Sequence, residues 1–195
     1  MESGKHFELP HYFEENTGRD RKKIPVRPGW NEFFLQLAEV YSTRGSCLRR
    51  QYGAVIVDQS RFLVSTGYCG APQGVDNCIE VGRCHRDEKG IPAGQRYEEC
   101  VSMHAEDNAI MTAGDKSRLA GTTLYLAGWD VQKQERIFTP PCINCAKKII
   151  QVGIEIIILR APENGMRLIP VEQLKEKLNR RDFNYPYELG SLVEG

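Results

Sequence analysis

The chain has 195 residues, of which 26 are Lys or Arg and 26 are Asp or Glu, so its formal net charge is zero. This length suits one compact α/β domain with a substantial core, and the charge balance argues against a broadly basic nucleic-acid-binding surface or a membrane-attracted one. No segment is long and apolar enough to span a bilayer, and the first twenty residues lack the apolar core of a signal peptide, so we expect a cytoplasmic protein.

Seven cysteines are a high count for a cytoplasmic chain, and the count is odd. In a reducing compartment, clustered cysteines indicate metal ligands or catalytic groups before they indicate disulfides. We therefore look for metal sites.

The first third of the chain predicts an arm, a helix and a β-hairpin. Residues 1–26 mix glycine, proline and charge without a sustained period, which predicts a weakly ordered arm ahead of one domain over 27–195. Apolar residues then recur at helical spacing from Trp30 to Tyr41 and predict a helix that ends before Gly45. Its aromatic residues, Trp30 and Phe33 among them, are expected in the core. Two short apolar runs, 54–57 and 62–64, predict a hairpin.

The remaining segments predict an α/β fold. Residues 68–100 have little periodicity, and a loop this long is uncommon unless it is functional or stapled. The later segments are a helix over 104–113, a strand over 122–127, a polar loop over 128–139, a helix over 142–152 flanked by Pro141 and Gly153, a strand over 154–159 and a helix over 171–178. This order predicts a mixed sheet sandwiched by helices. We assign no structure to the tail from Asn179.

Two short motifs supply the ligands for one metal ion. They are His104-Ala105-Glu106 and Pro141-Cys142-Ile143-Asn144-Cys145. One imidazole and two thiolates can hold Zn²⁺ and leave a fourth position for water, whose pKa the metal lowers toward neutrality. His104 and Glu106 converge only if a helix begins at that point. Cys142 and Cys145 share one face of a helix's first turn, where the positive end of the helix favours thiolates.

The combined pattern is the signature of zinc deaminases. In that chemistry the activated water attacks the carbon that bears an exocyclic amine, and Glu106 acts first as base and then as acid. A structural zinc with a fourth protein ligand would use the same atoms. The proline before Cys142, the intervening strand and the two helix starts favour catalysis.

Beyond these motifs, the chain resembles deoxycytidylate (dCMP) deaminases of the cytidine deaminase superfamily from Arg27 to about Leu159. The segments that carry the resemblance include Ser46-Cys47-Leu48-Arg49-Arg50, Gly67-Tyr68-Cys69-Gly70-Ala71-Pro72 and His104 to Ile110. The resemblance implies a three-layer α/β/α sandwich, conversion of dCMP to dUMP, a homo-oligomer (hexamer or dimer) and dCTP and dTTP as effectors. It also implies that His104, Cys142 and Cys145 bind zinc and that Glu106 carries protons.

Four residues are candidate substrate contacts. The resemblance implies that Asn108 helps to order the site. Cys69 stands where the family usually has an asparagine that contacts the nucleotide sugar, and a thiol cannot mimic an amide. Arg49 could recognise a phosphate, although ordinary surface charge is the alternative. Trp129 lies in the loop over 128–139, which is longer than usual and would lie near the base pocket.

The resemblance also implies a second, structural zinc in a cysteine-rich insert over about 68–103. Its matching positions are Cys47, Cys78 and Cys100, with Cys84 or His85 as a fourth ligand. Buried free thiols are the alternative. Several of these cysteines fall in a polar loop, which favours a metal that would staple the insert.

Two other functions remain open at this stage. The chain could deaminate another substrate: a modified pyrimidine, a riboflavin precursor or a base in nucleic acid. It could also be a non-catalytic zinc-containing nucleotide sensor. The zero net charge and the lack of a basic C-terminal stretch count against nucleic acid. Glu106 counts against a sensor, since a metal scaffold needs no carboxylate there.

Overall fold

The computed structural model describes residues 13–15, 23–25, 27–138, 140–162 and 165–182. The strands are β1 (Phe13–Glu15), β2 (Lys23–Pro25), β3 (Arg50–Val57), β4 (Leu63–Tyr68), β5 (Thr123–Asp130), β6 (Glu135–Ile137), β7 (Ile156–Arg160) and β8 (Met166–Pro170). The helices are α1 (Trp30–Ser42), α2 (Cys78–Val81), α3 (His85–Glu88), α4 (Ala105–Thr112), α5 (Ile143–Val152) and α6 (Val171–Asn179). None of these described helices has the length and apolar character that a membrane span requires.

A six-stranded mixed sheet forms the centre of the fold. Its order is β4-β3-β5-β7-β8, and β6 pairs with the end of β5 beyond the part that pairs with β7. The β5–β7 pair is parallel and the other pairs are antiparallel. The predicted mixed sheet is therefore confirmed.

Successive residues of the central strands enter two different cores, because side chains alternate across a strand. On β3, Ala54 and Ile56 pack on one face with residues of α4, α5 and α6. Val55 and Val57 pack on the other face with Phe34 and neighbouring residues of α1. Both faces of the sheet are thus covered, which confirms the three-layer α/β/α architecture and explains why these strands have nearly continuous apolar sequences.

The polar loop predicted over 128–139 is wrong. Residues up to Asp130 continue β5, and Glu135–Ile137 return as β6, so this segment is a β-hairpin. The Asp130 carboxylate accepts hydrogen bonds from the backbone N–H groups of Gln132 and Lys133 at 3.1 and 3.0 Å. This Asx-type turn reverses the chain.

Three other expectations need correction. The first helix exposes Trp30 by 50% and Phe33 by 45%, whereas Phe34 and Ala38 of the same predicted face are buried, as is Leu35. The insert is not one long loop, because it contains α2, α3 and a short 3₁₀ turn. Strand β8 was not predicted.

The predicted arm lies mostly outside the described residues. Within it, β1 and β2 pair antiparallel, with Glu14 opposite Ile24. The division into an arm and one domain stays a prediction, and the tail beyond residue 182 lies outside the described part of the chain.

Candidate metal centre and adjoining cavity

Two helix starts carry the predicted metal ligands. His104 precedes α4 as its N-cap residue with extended backbone angles (φ −76°, ψ 154°), and Cys142 does the same for α5 (φ −64°, ψ 166°). Cys145 lies in the first turn of α5. Because helix α4 begins directly after His104, Glu106 in its first turn can face the same space as the imidazole. The convergence required by the sequence argument is therefore present.

The three ligand atoms meet at one point. The Nδ1 atom of His104 lies 3.3 Å from the Sγ atom of Cys145 and 3.4 Å from that of Cys142. With Zn–N of about 2.0 Å and Zn–S of about 2.3 Å, tetrahedral geometry separates a nitrogen and a sulfur ligand by about 3.5 Å. Among the described residues, this is the one group of three or more His, Cys, Asp or Glu side chains whose donor atoms lie within 4.8 Å of one another. The donor set and its spacing fit zinc.

Protons are shared within this cluster. A hydrogen bond from Cys145 and the neighbouring imidazole lower the pKa of Cys142 to about 4, although burial opposes this shift. The same hydrogen bond and burial raise the pKa of Cys145. Burial also opposes the charge on His104, but its hydrogen bond with Cys142 raises its pKa to about 9. The site therefore favours a thiolate beside a positive charge, and a metal ion would replace the shared protons.

Glu106 is a buried carboxyl group beside the metal cluster. It is 5% exposed, and burial raises its pKa, while the positive charge of His104 opposes the shift. It does not belong to the converging ligand group. A carboxyl group that can hold a proton next to a metal centre suits general acid–base chemistry.

Two contacts around the ligands were not predicted from the sequence. Asp107 accepts a hydrogen bond from the Sγ atom of Cys145 at 3.8 Å, and Lys148 of α5 donates to Asp107 at 2.6 Å. These contacts tie α4 to α5 across the metal cluster. The ring of Tyr97 lies edge-on to the imidazole of His104, with centroids 4.7 Å apart. Contacts of this kind, made by residues around the ligands, orient metal ligands, but no spacing in the sequence predicts them.

A cavity of about 400 Å³ opens onto the cluster. Its walls include Arg49, Cys69, Arg86, Tyr97, Glu106 and Cys142. The size and the mixture of apolar and polar walls are typical of a small-molecule site. The wall includes the metal ligands His104 and Cys142 together with Glu106, and the insert contributes several of the other residues.

The four candidate substrate contacts occupy different positions. Arg49 and Cys69 line the cavity. The Cys69 thiol is engaged by β3, since it accepts from the Tyr52 backbone N–H at 3.2 Å and donates to a β3 carbonyl at 3.6 Å. The described residues that wall the cavity do not include Asn108 or Trp129. Asn108 donates to the Tyr68 carbonyl at 2.7 Å and so ties α4 to the end of β4.

Trp129, which was expected in a loop near the base pocket, is a strand residue. It belongs to β5, where its register partners are Gln51 on β3 and Arg136 on β6. The hairpin that replaces the predicted loop therefore keeps this residue within the sheet.

The four cysteines of the implied second zinc site influence one another electrostatically. The charges of three other thiols, those of Cys47, Cys84 and Cys100, add to burial in raising the pKa of Cys78 to about 11. No three of these four thiols come within 4.8 Å of one another. His85 instead places its Nε2 atom 3.2 Å from a carboxylate oxygen of Glu99, and its side chain is 56% exposed.

A mixed sheet between helices, with an imidazole and two thiols converging at two helix starts, defines an α/β zinc-binding protein. The family model described as the cytidine and deoxycytidylate deaminase zinc-binding region matches residues 28–161, and the chain belongs to this family. The family and the His/Cys/Cys cluster together indicate zinc as the metal.

Individual relatives agree with this assignment. The chain is 32% identical over 138 residues to the deoxycytidylate deaminase of Schizosaccharomyces pombe. The aligned region covers 71% of this chain and 39% of that protein. It is 35% identical over 137 residues to the deoxycytidylate deaminase of Mycobacterium phage D29, covering 68% of this chain and 94% of that protein. The chain thus spans about two-fifths of the length of its yeast relatives from S. pombe and Saccharomyces cerevisiae.

A solved structure shows the same fold. The apo dCMP deaminase of cyanophage S-TIM5 superposes with a TM-score of 0.51 at 22% identity, covering 78% of this chain and 94% of that one.

Proposed function

We propose that this protein hydrolyses the amino group of a free cytosine nucleotide and that its substrate is dCMP, which becomes dUMP. The observation that carries the proposal is the buried Glu106 carboxyl group beside the converging His104, Cys142 and Cys145 ligands, in the wall of a cavity large enough for a nucleotide. The deoxycytidylate deaminase names of several relatives support this substrate.

The three metal ligands and Glu106 have separate roles in the proposed reaction. His104, Cys142 and Cys145 hold the metal, and the dipoles of α4 and α5 support the thiolates. Bound Zn²⁺ supplies Lewis acidity that lowers the pKa of a coordinated water toward neutrality. Glu106 takes the proton released from the water and delivers it to the ring nitrogen of the base. It then takes the remaining proton of the added hydroxyl group and transfers it to the departing amine, so that water and the amino substrate become the oxo product and ammonia.

Two other candidate residues position the site. Asn108 holds the end of β4 through the Tyr68 carbonyl and so fixes the segment that leads into the cavity at Cys69. Arg49 lines the cavity and is also paired with Asp87 at 3.2 Å. We propose that both act on the nucleotide-binding wall and not on the reacting carbon.

Ammonia release from a panel of free nucleotides and nucleosides tests the function. We expect turnover of dCMP by the wild type and a loss of about 10²- to 10⁴-fold in Glu106→Gln, with zinc content unchanged in the variant. The matched control is Glu98→Gln, which changes an acidic residue of the insert that does not line the cavity. If the protein releases ammonia only from a compound with another base, that compound replaces dCMP as the substrate. Nucleotide binding without ammonia release would indicate a sensor.

We further propose a second zinc ion held by Cys47, Cys78, Cys84 and Cys100. The mutual electrostatic influence of these thiols supports one cluster. The backbone N–H of Arg49 donates to the Sγ atom of Cys47 at 3.4 Å, which suits a metal thiolate. Cys84 is favoured over His85 as the fourth ligand, because His85 pairs with Glu99. Bound zinc would draw the four sulfurs together and staple the insert.

Metal content distinguishes these arrangements. We expect two zinc ions per chain in the wild type, one in Cys78→Ser and Cys84→Ser, and two in the matched control His85→Ala. One zinc in the wild type would reject the second centre. If His85→Ala contains one zinc ion and Cys84→Ser contains two, the fourth ligand is His85 and not Cys84.

We also propose that the protein forms a homo-oligomer and acts in the cytoplasm. The exposed aromatic residues Trp30, Phe33 and Phe62, which are 50%, 45% and 70% exposed, support an association surface. The seven cysteines, all of them described, form no disulfide, which suits a reducing compartment. Light scattering of the purified protein tests the assembly. Control by dCTP and dTTP stays a prediction.

A further inference from the structure

Arg86 is a buried cation in the wall of the cavity. Arg86 belongs to α3 within the insert, lines the cavity and is 7% exposed. Its Nη2 atom donates to the carbonyl oxygens of Pro92 at 2.8 Å and of Gln95. Its Nε atom is buried and has no hydrogen-bond partner among the described residues. The guanidinium therefore retains donor capacity that the surrounding protein does not use.

The charge of Arg86 also has no ion-pair partner in the described part of the chain. No Asp or Glu oxygen among the described residues lies within ion-pair distance of it, whereas the other two arginines of the cavity wall are paired. Arg49 pairs with Asp87 at 3.2 Å, and Arg50 lies 3.8 Å from Asp130. Burying a charge without a partner is unfavourable. An anion that enters the cavity would supply the missing partner.

Arg86 lies close enough to the metal ligands for a single nucleotide to contact both. Its guanidinium carbon lies 5.2 Å from the centre of the Tyr97 ring, and that ring is centred 4.7 Å from the imidazole of His104. The guanidinium therefore lies within about 10 Å of the metal-binding ring. Arg86, His104 and Cys142 line the same cavity, so a nucleotide whose exocyclic amine lies at the metal ligands can bring its 5′-phosphate to the guanidinium.

We propose that Arg86 binds the phosphate of the substrate and selects a 5′-monophosphate over the corresponding nucleoside. This inference rests on the proposed deamination of a free nucleotide. A guanidinium is suited to phosphate because its planar set of N–H groups can form two parallel charge-assisted hydrogen bonds. Tyr97 packs against the guanidinium, and both residues line the cavity. Arg86 is thus a specificity-determining residue at a distance from the reacting carbon.

A purely structural role for Arg86 would have different consequences. The two carbonyl oxygens that it contacts belong to the segment over 92–95, so Arg86 also fixes this part of the insert. If that were its whole role, its loss would reduce the turnover of dCMP and deoxycytidine in the same proportion. The ratio of the two therefore separates phosphate recognition from support of the loop.

The test compares kcat/KM for dCMP and for deoxycytidine in the wild type, Arg86→Gln and Arg86→Lys. Loss of charge-assisted hydrogen bonds predicts a fall of about 10- to 100-fold for dCMP in Arg86→Gln, with a change of less than about threefold for deoxycytidine. Arg86→Lys keeps the charge but loses the bidentate hydrogen-bonding geometry. We therefore expect its ratio of kcat/KM for dCMP to kcat/KM for deoxycytidine to lie between those of the wild type and Arg86→Gln. The matched control is Arg83→Gln, since Arg83 belongs to the insert, is 70% exposed and pairs with Glu88. An unchanged ratio in both Arg86 variants overturns the proposal.

A binding measurement keeps this inference separate from the proposed catalysis. Calorimetric titration with dCMP and with deoxycytidine, carried out on zinc-loaded proteins that also carry Glu106→Gln, reports recognition without turnover. We expect weaker dCMP binding in Arg86→Gln by the same factor and similar deoxycytidine binding. If the wild type releases no ammonia but shows this pattern, the proposed reaction fails and the phosphate assignment stands. If Arg86→Gln does not fold, Arg86→Lys decides, and dCMP binding equal to that of the wild type rejects the assignment.

Discussion

Substituting Gly67 by alanine should weaken zinc binding more than its cost in stability explains. Gly67 lies on β4 opposite Ala54, where the strand passes directly under the first turns of α4. A Cβ atom at this position would come closer than 3.0 Å to the Ala105 carbonyl oxygen and the Ala109 nitrogen. Both are backbone atoms, so the contact can be relieved only if the helix moves away from the sheet.

The size of the effect follows from these contacts. Ordinary carbon contacts need about 3.5 Å, so α4 has to move by at least about 0.5 Å. Overpacking of this kind costs about 3 kcal/mol, which corresponds to a fall in Tm of about 6–12 °C for a chain of this size. His104 leads directly into α4 and would move with it. Metal–ligand distances tolerate only about 0.2 Å, so we expect zinc affinity to fall by about tenfold or more.

Gly53→Ala provides the matched control. A Cβ atom on Gly53 would meet backbone atoms of Ala38, Tyr41 and Ser42 in α1, on the opposite face of the sheet. A comparable loss of stability is expected there without displacement of His104. Melting curves of the two variants and competition for zinc with a chromophoric chelator form the assay. Equal loss of zinc affinity in both variants, or wild-type affinity in a destabilised Gly67→Ala, would refute the reasoning.

The remaining predictions concern the support of the metal ligands and a buried ion pair. Asp107→Asn should weaken zinc binding by about 10- to 100-fold, measured by chelator competition, because Asp107 contacts Cys145 and Lys148. Arg160→Met should reduce the free energy of unfolding in urea by about 3 kcal/mol, because Arg160 is 1% exposed and contacts Glu32 at 2.8 Å and Glu39 at 2.9 Å. Although burial opposes ionisation, the hydrogen bond and charge of Arg160 hold the pKa of Glu32 below its usual value. The contribution of this pair should therefore be present above about pH 4.3 and be lost at lower pH, and urea titrations at several pH values should show a flatter acid limb in Arg160→Met.

Sequence patterns predicted the features that depend on local geometry. Both metal-ligand motifs stand at helix starts, and the cap positions of His104 and Cys142 follow from the residues that flank them. The strands of the sheet centre are equally local, since their apolar residues run without interruption. Where the burial of a side chain depends on residues that are distant in sequence, the patterns did not predict it. The aromatic residues at the start of α1 have helical spacing, but spacing alone does not show that Trp30 is half exposed and contacts Phe33, Phe34 and Arg61 near the surface.

The insert illustrates the same limit more strongly. Helices α2 and α3 have four residues each, and helices this short are not stable by themselves. Asn77 stabilises the first through a capping box with Glu80 and also accepts from Ser46 at 2.5 Å, far away in sequence. The burial of Arg86 depends on the fold of this whole segment. Its chemistry was visible in the sequence, but its position in the cavity wall was not.

The two proposed sites in the insert are physically connected. Cys84 is the N-cap residue of α3, and Arg86 lies in the first turn of the same short helix. A metal ion bound by Cys84 would fix the start of this helix and thereby the direction of the Arg86 side chain. Loss of the second zinc in Cys84→Ser should consequently lower the preference for dCMP over deoxycytidine, while His104, Cys142 and Cys145 still bind their own zinc. A Cys84→Ser protein that contains one zinc ion and keeps the wild-type preference would show that Tyr97 and the carbonyls of 92–95 hold Arg86 in place without the metal.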